Sequence, residues 1–483
     1  MTMSASWARW SVAAIGMVAM AATAVQGRRS AADGQAIDRA VEEYRVRHHV
    51  PGIAVAVTQG RARVRVGGYG HDSTGAAITA ATRLPIASLS KSFTALAVMQ
   101  LVDEGRVRLD DPVRTYLPDF AIADPRGADI TVRQVLTHTS GLADTTFHEK
   151  SGPLPASLAE GVALLRSARL ASAPGEKEHY HNPNYWIAAR IVEVVSGRSF
   201  GDYLRERVFL PLGMTRTSTV TTLRQTGDVA RGHVRVLGRA FALPEPDWFL
   251  DGASGVVTTA DDLAQWLVMQ NGDGTAPDGT RVISADALRA MHDGLGWRRS
   301  LSGAATVVQH GGWLFTFTAH QMLLPDSGYG IAVIANVGLG LAPADAEAVA
   351  QDIARIVTGG TPDPGTPVGA IVDVVLVGLA ALVVVFGVRQ WRRVESWTDA
   401  RARHARWRRI VACWPWIVPL VVLLLLPATL SFVFGGRDAT YLQMLYVAPM
   451  LVCALIVMAI MGLALTAVRA FRRAGPSGPA GAG

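Results

Sequence analysis

Ala87-Ser88-Leu89-Ser90-Lys91-Ser92-Phe93 is the stretch on which the reading of this chain turns. An apolar pattern continues through Leu96, Met99 and Leu101 to Gly105, which predicts a helix with Gly105 as its stop. Ser88 stands at the start of that helix and Lys91 one turn later, on the same face. A serine hydroxyl is a weak nucleophile until a neighbouring base takes its proton. A helix N-terminus favours negative charge developing there. A lysine can be the base when burial lowers its pKa. The choice of lysine is informative, because the chain has only Lys91, Lys150 and Lys177 and is otherwise an arginine protein. Arginine does not release a proton at working pH.

Outward from this helix, residues 33–49 read as an amphipathic helix with Ile37, Val41 and Tyr44 on one face. Gly52 to Val57 and Ala62 to Val66 are β-rich runs around a Gln59-Gly60 turn. Residues 106–245 are mostly helical pattern with few strand signals. Thr306 to Gln309, Phe317 to Leu324 and Tyr329 to Val337 return to strands, and Ala342 to Val357 is a closing helix. These pieces predict an α/β fold: one antiparallel sheet of about five strands flanked by helices from both chain ends, with an inserted all-α lobe. A cleft between sheet domain and lobe is the expected ligand site.

Two further segments carry chemistry. Tyr180-His181-Asn182 precedes a helix from Tyr185 to Val195. Two positions apart on extended chain, Tyr180 and Asn182 point the same way. Facing Ser88, Tyr180 would relay a proton to a leaving group, and Asn182 would hold Lys91 and the substrate. His179 and His181 form an H-x-H without further ligands at metal-site spacing, so they read as ordinary polar residues and no metal is expected. His310-Gly311-Gly312-Trp313 ends a strand; its glycines let backbone approach a ligand, and His310 would donate to a substrate oxygen or carboxylate. Leu136-Thr137-His138-Thr139-Ser140-Gly141-Leu142 is a polar turn that is either interior packing or part of the site lining.

Taken in order, these segments resemble the serine β-lactamase-like hydrolases, in the branch of class C β-lactamases, D-stereospecific peptidases and esterases. The resemblance covers roughly residues 33–357 and includes Pro211-Leu212-Gly213-Met214 and Thr258-Thr259-Ala260-Asp261-Asp262-Leu263. It implies a β-lactamase/transpeptidase-like fold, Ser88 as acyl-accepting nucleophile, Lys91 and Tyr180 as the proton-handling pair, and Asn182 bridging Lys91 and substrate. It implies an oxyanion hole from the N–H groups of Ser88 and Trp313, and no cofactor. His310 stands where penicillin-recognising members carry lysine, which argues against efficient β-lactamase activity. Leu314-Phe315-Thr316-Phe317 lacks the glycine that usually precedes the phenylalanine, so Trp313 and Phe315 are expected to narrow the cleft. The expected substrate is a peptide, a D-amino-acid-containing molecule or an ester. The alternative is a penicillin- or wall-peptide-binding sensor with little turnover.

The chain's ends set its place. Residues 1–24 read as a signal peptide, with Arg9, an apolar stretch and Ala22-Thr23-Ala24, or else as an uncleaved anchor. Residues 25–358 would be the hydrolase domain and 359–367 a Pro/Gly-rich linker. Three apolar runs, 368–388, 410–434 and 441–468, are each long enough to cross a bilayer, leaving 469–483 as a tail. Asp373 lies near the outer end of the first run. The loop from Arg389 to Arg409 carries a net charge of +6, and Arg469, Arg472 and Arg473 follow the third run. By the positive-inside rule this loop and tail are cytoplasmic, and the hydrolase domain lies outside. The net charge of +7 thus reflects topology and lipid contact rather than nucleic-acid binding. Cys413 and Cys453 both lie in the apolar runs, so the main domain has no disulfide framework.

Overall fold

Alternation in Gly52–Gln59 sets the centre of the molecule. Ile53, Val55 and Val57 face one core while Ala54 and Ala56 face another, so this strand is covered on both sides. The computed structural model describes residues 33–276, 278–302, 305–341, 343–400, 406–411, 413–433 and 436–471. The proposed signal peptide and the tail beyond residue 471 lie outside the described residues.

Around that strand is a six-stranded antiparallel sheet, in spatial order Ala62–Gly70, Gly52–Gln59, Tyr329–Ala335, Thr318–Leu324, Ala305–Trp313 and Arg298–Ser302. The sequence predicted about five strands. The extra one, Arg298–Ser302, is a polar edge strand whose sequence Arg-Arg-Ser-Leu-Ser carries no apolar alternation. Edge strands tolerate such composition because only one side is paired.

Helix 33–47 and helix Asp345–Val357 cover the outer face, burying Ile37, Val41, Val349 and Ile353 against Ile331 and Val333. On the inner face lies the helix Ser90–Asp103, whose first twelve residues are all buried. Phe93 stacks on Trp266 of the helix Ala260–Asn271, with ring centres 3.9 Å apart. Thr259 caps that helix by accepting from the Asp262 N–H at 3.1 Å.

The inserted lobe is less helical than its sequence pattern. It holds the helices Leu158–Leu164, Pro183–Ser196 and Phe200–Leu204, but also a hairpin of Gly232–Val236 with Arg239–Leu243. Leu237 and Gly238 turn that hairpin with φ of 52° and 72°, which is the geometry of a tight two-residue hairpin turn.

At the C-terminus, Val368–Arg392, Trp414–Val433 and Pro449–Phe471 are helices long and apolar enough to cross a membrane. The third apolar run breaks into Tyr441–Val447 and Pro449–Phe471. Pro449 has no N–H to give the preceding turn, and it drives Ala448 out of helical geometry to φ −142° and ψ 58°. Gly462 lets the second and third of these helices meet, since a Cβ there would strike the Trp416 carbonyl. Asp373 does not sit free at an interface. It is buried and accepts the Leu237 N–H at 2.8 Å, joining the first apolar helix to the lobe hairpin.

Candidate active site

Ser88 lies in a tight turn, Ala87–Leu89, that feeds directly into the Ser90–Asp103 helix. Ala87, just before it, is held at φ 51°, a left-handed conformation that costs a non-glycine residue about 1 kcal/mol. The turn is fastened by Ser90 Oγ, which donates to the Ala87 carbonyl at 2.6 Å and accepts the Val256 N–H at 3.0 Å.

Lys91 is fully buried. Its Nζ lies 3.1 Å from Ser88 Oγ, 2.8 Å from Asn182 Oδ1 and 3.0 Å from the Ala253 carbonyl oxygen. Burial drives its pKa below the ordinary lysine value; the Tyr180 side chain and Glu149 push the other way. A neutral amine has two N–H bonds and one lone pair. With both N–H bonds donated to Asn182 and Ala253, the lone pair is left for the Ser88 hydroxyl proton.

Tyr180 and Asn182 come to the same place, as their spacing predicts. Lys91 Nζ stands 4.9 Å from the centre of the Tyr180 ring and 5.5 Å from that of Tyr185. Asn182 does hold Lys91, but one of its amide N–H bonds goes to Glu149 Oε1 at 2.7 Å rather than being free for a substrate. The Leu136–Leu142 turn packs behind Tyr180. His138 lies ring to ring with Tyr180 at 4.4 Å and takes the His181 N–H on Nδ1.

The opposite wall is the end of the Ala305–Trp313 strand. A Cβ on Gly312 would lie 2.7 Å from the Ile86 carbonyl and 3.0 Å from the Ser88 nitrogen. Only glycine lets the strand lie this close to the Ser88 turn. His310 sits in this wall, half-buried, with burial and the nearby Lys91 pushing its pKa down to about 3. Its Nδ1 is 2.6 Å from the Gly311 carbonyl. A neutral ring protonated on Nδ1 satisfies that carbonyl and keeps Nε2 as an acceptor. His310 lines the cleft, where the sequence places it as a substrate contact. Trp313 lines the cleft, but Phe315 turns away and stacks on Trp248 at 4.7 Å, so it does not narrow the opening. The cleft has a volume of about 340 Å³ and is lined by Ser88, Tyr180, Asn182, His310, Trp313 and Arg437, among others.

Residues 37–355 match the Beta-lactamase family. The chain belongs to that family. Penicillin-binding protein 4 of Amycolatopsis lactamdurans is 35% identical over 318 residues, which is 61% of this chain and 83% of that protein. Protein flp of Staphylococcus aureus strain N315 is 28% identical over 317 residues, 63% of each chain. Among solved structures, the octameric penicillin-binding protein homologue of Pyrococcus abyssi aligns with a TM-score of 0.58 at 25% identity, covering 68% of this chain and 78% of that one. The D-amino acid amidase of Ochrobactrum anthropi SV3 shares the fold, with a TM-score of 0.56, 24% identity and coverage of 67% and 97%. The fold is therefore β-lactamase/transpeptidase-like, with three candidate membrane-spanning helices among the described residues.

Around this Beta-lactamase-family cleft the structure gathers further side chains to which the sequence reading gave no site role. His181 is not an ordinary polar residue. It is fully buried, its Nδ1 bonded to Asp144 Oδ1. Asp144, Glu149 and His181 bring one ligand atom each within 4.8 Å of one another. The same Asp144 is met by Arg437 at 3.2 Å and Lys150 at 3.8 Å, so its charge is already balanced by cations of the chain. Burial pushes the Asp144 carboxyl up, but the His181 hydrogen bond and Arg437 hold it below the usual carboxylate range. Glu149 moves the other way, raised by burial and by Asp144. On the Trp313 side, Glu245 accepts the N–H groups of Phe315 and Thr316, both at 2.9 Å, and the Thr316 hydroxyl at 2.6 Å. It fastens the loop after Trp313, and burial raises its pKa to about 7.

Proposed function

We propose that the protein is a membrane-anchored serine hydrolase that works through an acyl-enzyme on Ser88. The observation that carries this reading is the fully buried Lys91, 3.1 Å from Ser88 Oγ and surrounded by neutral acceptors. Lys91 takes the hydroxyl proton as Ser88 Oγ bonds to the substrate carbonyl carbon. The N–H groups of Ser88 and Trp313 receive the developing oxyanion. Tyr180 gives its proton to the leaving nitrogen or oxygen as the scissile bond breaks, and takes in its place the serine proton held by Lys91. Water then releases the acid and restores Ser88. Asn182 fixes Lys91, and Gly312 lets Trp313 reach the nucleophile.

The substrate class is an amide or ester with an N–H donor near the scissile bond, because neutral His310 offers an acceptor there. Peptides and D-amino-acid amides fit this description, and a β-lactam that needs a fixed cation at this position does not. The similarity to a penicillin-binding protein makes a penicillin a useful second probe. The Arg-rich connection between the first two apolar helices supports a cytoplasmic place for it, with the hydrolase domain outside.

The test is labelling of membranes by a fluorophosphonate and, separately, by a fluorescent penicillin, in wild type and Ser88→Ala. Fluorophosphonate labelling lost in Ser88→Ala, beside a short-lived penicillin signal, is the expected result. A long-lived penicillin adduct would favour the sensor alternative. Absence of Ser88-dependent labelling by either probe would overturn the hydrolase reading.

A further inference from the structure

The connection between the second and third apolar helices does not hang in solvent. It lies against the cleft. Arg437 donates to the Tyr180 carbonyl oxygen, and its guanidinium carbon stands 5.0 Å from the centre of the Tyr180 ring. The same guanidinium is 3.2 Å from Asp144 Oδ2. Its neighbour Asp438 donates its N–H to Asp144 Oδ2 at 2.8 Å, and its carbonyl accepts from Lys150 Nζ at 3.2 Å. On the other wall, Tyr446 donates to the Pro244 carbonyl at 3.0 Å, and its ring packs 5.3 Å from Phe315, in the loop that follows Trp313. One stretch, residues 436–447, thus touches both the Tyr180 wall and the Trp313 wall.

Simple tethering requires none of this. One apolar helix and a flexible linker would hold the domain at a membrane, and a loop between later helices would be free to face water. Instead, an arginine is placed with its side chain only 27% exposed, against the residue whose orientation matters most after Ser88 and Lys91. Arginine's planar fork suits this position, because it grips a carbonyl and a carboxylate together and lies over an aromatic face.

We propose that Arg437 is a positioning residue of the hydrolytic site, so that docking of the connection between the second and third apolar helices is required for full turnover. The proposal rests on the hydrolase reading above. Two consequences follow from the geometry. Tyr180 is held in place through its carbonyl and its ring, and a displacement of about 1 Å at such a group costs up to a hundredfold in rate. Arg437 also adds a positive charge to the surroundings of Lys91. The other groups facing Lys91 are Tyr180 and Asn182 from the segment before the Pro183–Ser196 helix, Tyr185 from that helix, and His138 and Glu149 from the lobe. His310 faces it from the strand and Ser88 from its own turn. A positive neighbour favours the neutral amine, so removal of Arg437 moves the acid limb of the rate profile to higher pH.

The experiment uses the full chain in detergent or lipid discs. It measures the second-order rate of fluorophosphonate inactivation across pH, with thermal melting alongside, for wild type, Ser88→Ala, Arg437→Gln and Arg437→Lys. Arg437→Gln should react roughly ten- to a hundredfold more slowly with its acid limb shifted upward. Arg437→Lys keeps the charge, so its limb should return to the wild-type position with part of the rate restored. A role in stability alone would move the melting temperature and leave the limb in place. Wild-type rate and limb in Arg437→Gln, beside a normal Ser88-dependent signal, would overturn this inference and leave the hydrolase reading standing. Absence of a Ser88-dependent signal in wild type would overturn both. If Arg437→Gln does not fold, Arg437→Lys decides alone: slowing by about threefold or more at an unmoved limb supports the proposal, and a wild-type rate overturns it.

Discussion

Lys91 and Lys150 are both buried at this cleft, yet they sit among opposite kinds of partner. Lys91 meets a hydroxyl, an amide oxygen and a backbone carbonyl, all neutral. Lys150 has the carboxylates of Asp144, Glu149 and Asp438 around it, yet burial and Arg437 outweigh them and hold its pKa below the ordinary lysine value. Burial by itself does not make a base. Withdrawal from water lowers the pKa of both lysines, and what separates them is that Lys91 alone stands against the Ser88 hydroxyl. Two carboxyls form a mirror image in which partner charge does decide. Glu245, held only by neutral N–H and O–H donors, is raised to about 7, while Asp144, met by His181, Arg437 and Lys150, is lowered.

The sharpest way to break the comparison is to put arginine at each lysine. Lys91→Arg should lose at least about 1000-fold in fluorophosphonate reactivity, close to Ser88→Ala, because arginine cannot accept the serine proton. Lys150→Arg keeps its charge and should stay within about tenfold of wild type. Equal losses at the two positions would show that burial rather than contact with Ser88 is what matters. The next effect is on stability. Asp144→Asn removes the anion shared by His181, Arg437 and Lys150, and breaking such a buried pair costs about 3–5 kcal/mol, which melting would register. A loss under about 1 kcal/mol would mean that the cluster behaves as exposed ion pairs.

Gly312→Ala leaves both lysines untouched and asks whether their difference is sufficient for reactivity. Its Cβ must displace the strand from the Ser88 turn, with an expected rate loss of about ten- to a hundredfold. A wild-type rate would mean that the approach of the strand is not needed.

The smallest effect tests the carboxyl mirror. Glu245 binds a proton more tightly in the folded chain than in the unfolded one, so its contribution to stability is full below about pH 4.5 and is lost as pH rises through about 7. Glu245→Gln should flatten that slope, which screening by nearby solvent limits to roughly 1–2 kcal/mol. An unchanged slope from urea midpoints between pH 5 and pH 8 would remove Glu245 as its source.

Much of this was legible along the chain. Ser88 and Lys91 are three residues apart, and the tight turn Ala87–Leu89 running on into the Ser90–Asp103 helix brings them together. The central strand runs were visible because both faces of Gly52–Gln59, Thr318–Leu324 and Tyr329–Ala335 are buried, and the three apolar helices because a bilayer-length run needs no context. The polar edge strand Arg298–Ser302 and the 232–243 hairpin escaped because pairing, not composition, makes them strands. Lys150 left one signal, its rarity among 46 basic side chains, but nothing local told its role from that of Lys177.

The sequence by itself determined the family, and it singled out Ser88, Lys91 and Gly312 as candidates, because each is set by spacing within one element or by an ordered series of short motifs. The tertiary structure alone decided that Lys91 is wholly buried among neutral acceptors, that His181 belongs to a charged cluster, and that Arg437 reaches Tyr180 from 257 residues away. Local spacing is written in covalent geometry, whereas desolvation and charge balance depend on every group that folding brings near.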